Sequence, residues 1–177
     1  MSTLILYTSK TGVTKDVALL IEKQLIDQGI AVLTMDIKSY PLLSMDPFDT
    51  VVFGAPMYMG HYPKPIRKFI YKHLVNLTTK NLFMFLVGID SQMDIDKYLA
   101  HSFPKQFINH LNTPVHVGGE VRKEKMPLLK RYVFDQVIKD SVFLNTDNIE
   151  LNQANITAFI NQVKMSLREE EGEYDCH

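Results

Sequence analysis

Thr8-Ser9-Lys10-Thr11-Gly12-Val13-Thr14 is the stretch on which the fold turns. Before it runs an apolar segment, Thr3 to Thr8, with the aliphatic and β-branched residues of a buried strand. After it, Val17, Leu20, Ile21 and Leu25 recur at helical spacing, and Gly29 stands where a helix stop is expected. The stretch is therefore the turn of a strand-turn-helix unit. Four hydroxyls (Thr8, Ser9, Thr11, Thr14) flank one glycine there, beside the free N–H groups of a positive helix end. That combination suits a phosphate. It lacks the G-x-G-x-x-G of dinucleotide folds and the G-K-[ST] of nucleotide-hydrolysing loops, so hydroxyls and backbone amides would do the holding without a required metal ion. Ser and Thr also cap helices that bind nothing, and that plain alternative stands beside the anion reading.

Working outward, Ala31 to Asp36, Thr50 to Ala55, Leu82 to Ile89 and Pro114 to Gly118 read as four further strands. Pro65 can open a helix carrying Ile66, Phe69, Ile70 and Leu74, while Asp94 and Asn152 can cap two more. Strands alternating with helices predict an α/β fold in three layers, with helices on both faces of a parallel sheet. Glu120 to Phe143, roughly residues 120–145, reads as an insertion with a basic turn (Arg122, Lys123, Glu124, Lys125) and a helix from about Pro127. Residues 1–168 form one expected domain, and the acidic residues 169–177 read on charge as a disordered tail.

Composition narrows the function. The chain has 177 residues, 46% of them hydrophobic, enough for one substantial core. A net charge of -1 gives no general attraction to nucleic acid. The single cysteine, Cys176, permits no internal disulfide and favours a reducing, cytoplasmic setting. The amino terminus enters a strand without a signal-like segment, and no apolar run approaches a membrane span, so a soluble protein with at most peripheral membrane contact is expected. The six histidines are dispersed without metal-ligand spacing, so no metal is expected. The sequence leaves the oligomeric state open.

In an open parallel sheet, ligands bind beyond the carboxyl ends of strands where the winding direction reverses, which directs attention to the loops after strands one, three and four. The second of these loops, Pro56-Met57-Tyr58-Met59-Gly60-His61-Tyr62, has a glycine that admits a close approach and side chains that can pack beside a flat ring. Each of these tyrosines, taken alone, could equally cover the sheet edge. The third loop, Gly88-Ile89-Asp90-Ser91, holds no aromatic residue as far as Asp94. The first loop also trims rivals: it lacks the acidic residues of a phospho-receiver domain and the cysteine of a low-molecular-weight phosphatase.

Ser9, Thr11, Gly12 and Thr14 match the form T/S-x-T-G-x-T, and on this motif the chain resembles the flavodoxin family over nearly its whole length. The resemblance implies a five-stranded parallel sheet in the order 2-1-3-4-5, with FMN as cofactor. It also implies that Thr8, Ser9, Lys10, Thr11, Gly12, Val13 and Thr14 wrap the 5′-phosphate. Pro56, Met57, Tyr58, Met59, Gly60, His61 and Tyr62, with Gly88, Ile89, Asp90 and Ser91, would flank the ring. Gly60-His61-Tyr62 and the basic segment after strand five are similar to the menaquinone-dependent protoporphyrinogen oxidase branch. That likeness implies an oxidoreductase whose partners are a quinone and a porphyrinogen, with His61 and Tyr62 near the ring and the chemistry on the flavin. The alternative is an electron carrier that docks on a redox protein. Local basic runs at Lys64, Arg67, Lys68, Lys72 and at Arg122, Lys123, Lys125, Lys130 and Arg131 favour an anionic substrate or partner.

Overall fold

Alternation within continuously apolar strands sets the layers. In the computed structural model, which describes residues 2–39, 44–57, 61–88, 94–120, 122–125 and 150–174, strands β1 (Ser2–Tyr7), β3 (Thr50–Pro56) and β4 (Asn81–Val87) are buried almost throughout. Successive side chains of a strand point to opposite faces. Leu4, Leu6, Val51, Phe53, Leu82, Met84 and Leu86 accordingly enter one core, and Ile5, Tyr7, Val52, Phe83, Phe85 and Val87 enter the other. Strands β2 (Ala31–Asp36) and β5 (Val115–His116) complete a sheet in the order β2-β1-β3-β4-β5. Every pair in it is parallel, for example Leu6 beside Phe53 and Phe53 beside Met84.

Helices cover both faces. On one lie α1 (Val13–Ile26) and α6 (Gln153–Tyr174), which contribute Val17, Ile21 and Leu25, and Phe159, Ile160 and Val163. On the other, α2 (Lys64–Lys72), α3 (Leu74–Leu77), α4 (Ile95–Ser102) and α5 (Lys105–His110) contribute Ile66, Ile70, Leu77, Leu99 and Phe107. Gly54 explains itself by packing. A β-carbon there would run into the Phe85 ring and lie 3.0 Å from the Tyr7 β-carbon, so a central strand gives up a side chain to seat an aromatic.

The expected α/β fold and strand order are both present, with adjustments at the ends of elements. Strand β5 is shorter than the run from Pro114 to Gly118, because Pro114 has no N–H to donate and Gly118 turns to φ 79°. Helix α6 continues to Tyr174, so the acidic stretch read as a tail is helical as far as that residue; a run of glutamates is compatible with helix. Residues 175–177 and the inserted segment beyond Lys125, up to residue 149, lie outside the described residues. The chain leaves β5 and returns at one place. Gly118 and Leu151 form an antiparallel bridge, the Asn152 N–H donates to Val117 O at 2.9 Å, and the Gly119 N–H donates to Glu150 O at 3.3 Å.

Candidate functional site

Because the strands are parallel, β1, β3 and β4 release their loops at one edge. Backbone bonds tie these exits together: the Thr8 N–H donates to Gly54 O at 3.1 Å, the Met57 N–H to Val87 O at 2.7 Å and the Gly88 N–H to Gly118 O at 2.9 Å. His116 Nε2 donates to the Gly88 carbonyl at 2.9 Å, which makes Nε2 the protonated ring nitrogen and fastens the third loop to β5.

The first loop is a tight turn. Ser9 Oγ accepts the Gly12 N–H at 3.0 Å, and Gly12 takes φ 96°, a left-handed conformation that costs glycine little and other residues more. Gly12 is itself the N-cap of α1, and no side chain caps the helix. The first helical bond runs from the Asp16 N–H to Gly12 O, so the N–H groups of Val13, Thr14 and Lys15 have no acceptor within the helix. The loop hydroxyls therefore do not cap this helix, and the donors stay available to an anion. Thr8 and Thr14 are buried, Ser9, Thr11 and Gly12 are half-buried, and Lys10 is exposed. A phosphate fits this set of hydroxyls and amides at the positive end of a 14-residue helix.

Two cations absent from the motif stand against this turn. A β-carbon on Gly12 would lie 3.2 Å from Arg122 Nη1 and 3.4 Å from Lys125 Nζ. Arg122 donates from Nη1 to Asp16 Oδ2 at 2.6 Å, and from Nε and Nη2 to the two carboxylate oxygens of Glu120 at 2.9 and 2.8 Å. These bonds hold the Glu120 carboxyl below its usual range, with the Arg122 hydrogen bond as the main cause. The basic run read from sequence as favouring an anionic substrate or partner thus brings Arg122 and Lys125 to the Gly12 turn. Only the strand exit just before Glu120 hinted at the sheet edge they would reach.

At the second loop, Pro56 closes β3 and Met57 is buried in the core. His61 is exposed, whereas Tyr62 is 2% exposed with its ring edge-on to Phe103 at 4.8 Å, so Tyr62 packs inward. Its hydroxyl has no hydrogen-bond partner among the described residues, and burial, then Asp96, pushes its pKa well above the usual phenol value. Gly88 is half-buried, and a side chain there would meet only ordinary contacts, the nearest being Met57 Cβ at 3.4 Å. Tyr58, Met59, Gly60, Ile89, Asp90 and Ser91 lie outside the described residues. Beyond the loop, Lys64, Arg67, Lys68, Tyr71 and Lys72 share one open face of α2. Among the described residues there is no cluster of histidine, cysteine or acidic side chains that could hold a metal, and no helix long and apolar enough to cross a membrane.

Residues 4–142 match the family described as Flavodoxin domain. Over 89 residues the chain is 29% identical to protoporphyrinogen IX dehydrogenase [quinone] of Escherichia coli (strain K12), a match covering 50% of this chain and 49% of that protein. The match thus spans about half the length of that curated relative. Among solved structures, a short-chain flavodoxin associated with a bacterial microcompartment superposes with a TM-score of 0.54 at 19% identity, covering 80% of this chain and 99% of its own. The two-electron reduced flavodoxin of Megasphaera elsdenii gives a TM-score of 0.53 at 18% identity, covering 64% of this chain and 82% of its own. At such identities these two likenesses speak to the fold.

Proposed function

This chain belongs to the flavodoxin domain family, whose cofactor is FMN, and from that premise we propose that it is an FMN-dependent oxidoreductase which oxidises a porphyrinogen-like anion and passes the electrons to a quinone. The observation that carries the cofactor reading is the turn at Gly12, a left-handed glycine opening an uncapped helix at the carboxyl edge. Thr8, Ser9, Thr11 and Thr14, with the first N–H groups of α1, would hold the phosphate. FMN supplies the redox chemistry when bound; the protein binds it, orients it and controls access to its ring. The Val87 and Gly118 carbonyls fix the two ring-side loops through Met57 and Gly88, which gives the edge a defined shape before any ligand arrives. The exposure of His61 supports a role for it in meeting substrate. Partial identity to the quinone-linked dehydrogenase supports the reaction class.

One observation favours a second reading. The cationic face of α2, which begins just after the second loop, suits an acidic redox protein, and an electron carrier would use it for docking. The test is an absorption spectrum of the purified protein followed by porphyrinogen oxidation with a quinone as acceptor. Flavin bands with turnover are expected. Flavin bands without turnover, together with electron transfer to an acidic redox protein that weakens in salt, would replace the first reading with the second.

A further inference from the structure

We infer that Lys125 is a counter-ion to the cofactor's 5′-phosphate and that Arg122 is the positioning residue that holds it over the turn, so that these two residues flank the phosphate end of the site. The inference rests on the FMN reading above. It starts from Gly12, where Arg122 Nη1 and Lys125 Nζ stand 3.2 and 3.4 Å from the place a β-carbon would take, so close that only glycine leaves them room. These cations arrive from a part of the chain far removed in sequence, since Arg122 and Asp16 are 106 positions apart.

The two basic residues have different partners. Arg122, with 16% of its side chain exposed, is engaged on both forks by Asp16 in the first turn of α1 and by Glu120 at the exit from β5. Its planar guanidinium bridges two elements, a geometry an ammonium would not reproduce. Its charge is already matched by those carboxylates. Lys125 makes no ion pair among the described residues, and the bond from its N–H to the Arg122 carbonyl, at 3.0 Å, keeps it in the same short turn. Asp16 and Glu120 against Arg122 and Lys125 sum to zero charge, and Lys125, which acts on Glu120 only through space, is the cation with no bonded carboxylate and so the one left to face an incoming phosphate. The turn itself supplies hydroxyls and amides, which are neutral donors. A lysine at its rim adds a charge that acts only on the phosphorylated flavin, and therefore on the choice of FMN over riboflavin.

The cofactor-free full-length protein would be titrated with FMN and with riboflavin by quenching of flavin fluorescence, at low and at high ionic strength. Lys125→Gln is expected to weaken FMN roughly fivefold at low salt, a modest value because the lysine is exposed, and to leave riboflavin unchanged. Salt should weaken FMN binding in the wild type and do so less in the variant. Arg122→Gln should give a similar loss for FMN alone, and the double variant should lose no more than either single one, as expected where one residue acts through the other. A wild type that prefers FMN, beside a Lys125→Gln variant of equal affinity and salt response, would sink the inference and leave the cofactor reading intact. Additive losses in the double variant would remove the positioning role of Arg122. A wild type binding riboflavin as tightly as FMN would overturn the cofactor reading itself. If Arg122→Gln lowers the melting temperature of the cofactor-free protein, the Lys125→Gln result decides alone.

Discussion

At the scale of single residues, Tyr62 shows how much a side chain's direction matters. Its ring packs on Phe103 inside the core while its hydroxyl, buried and kept protonated, has no partner among the described residues. An unmade hydrogen bond at a buried group costs about 1–3 kcal/mol. Tyr62→Phe should therefore leave the melting temperature of the cofactor-free protein unchanged or raise it, as thermal unfolding would show; a fall would mean that the hydroxyl is satisfied. The sequence put Tyr62 and His61 side by side at a ring-flanking loop, and the structure separates them into a buried and an exposed position. Local pattern cannot separate two neighbours in a loop, because which of them is buried depends on what α4 and α5 bring against it.

At the scale of elements, the junction of α2 and α3 carries a titrating group. His73 lies against Phe69, with ring centroids 4.5 Å apart, and burial first, then Lys72, lowers its pKa from the ordinary 6.5. The unfolded chain consequently binds more protons on this residue at mildly acid pH than the folded chain does. The stability this residue permits is complete above pH 6.5 and declines as the pH falls through the lowered folded value. Denaturation midpoints measured from about pH 7.5 to about pH 5 should drop less steeply for His73→Gln than for the wild type. Other elements were legible where their signals are local. Asp94 accepts the Lys97 N–H and Asn152 accepts the Asn155 N–H, each at 3.0 Å, as cap residues read from sequence should. The turn at Gly12 was legible for the same reason. Helix α5 was not, since six residues with one buried side chain, Phe107, leave no periodicity to detect. The approach of Arg122 and Lys125 to Gly12 was also hidden, because it depends on where β5 ends and not on any spacing.

At the scale of the whole molecule, the bridge between Gly118 and Leu151 lies at the margin of one core, against which Leu151 packs. A β-carbon on Gly118 would collide with the backbone of residues 150–152, and its φ of 79° is strained for other residues. The clasp therefore requires this glycine. It closes the excursion of the chain before α6 begins, and of the excursion's described residues Arg122 reaches back to α1 through Asp16. Replacing residues 121–149 with a short Gly-Ser turn should preserve cooperative thermal unfolding while weakening FMN by about the amount lost on removing Lys125, roughly fivefold. Loss of cooperative unfolding would show that the excursion is part of the core. Should the shortened chain unfold cooperatively, the fastened ends make the excursion an interchangeable cassette. A lineage could swap it, or a designer could graft another loop onto the same socket, and change what greets a ligand at the phosphate end without renegotiating the scaffold beneath.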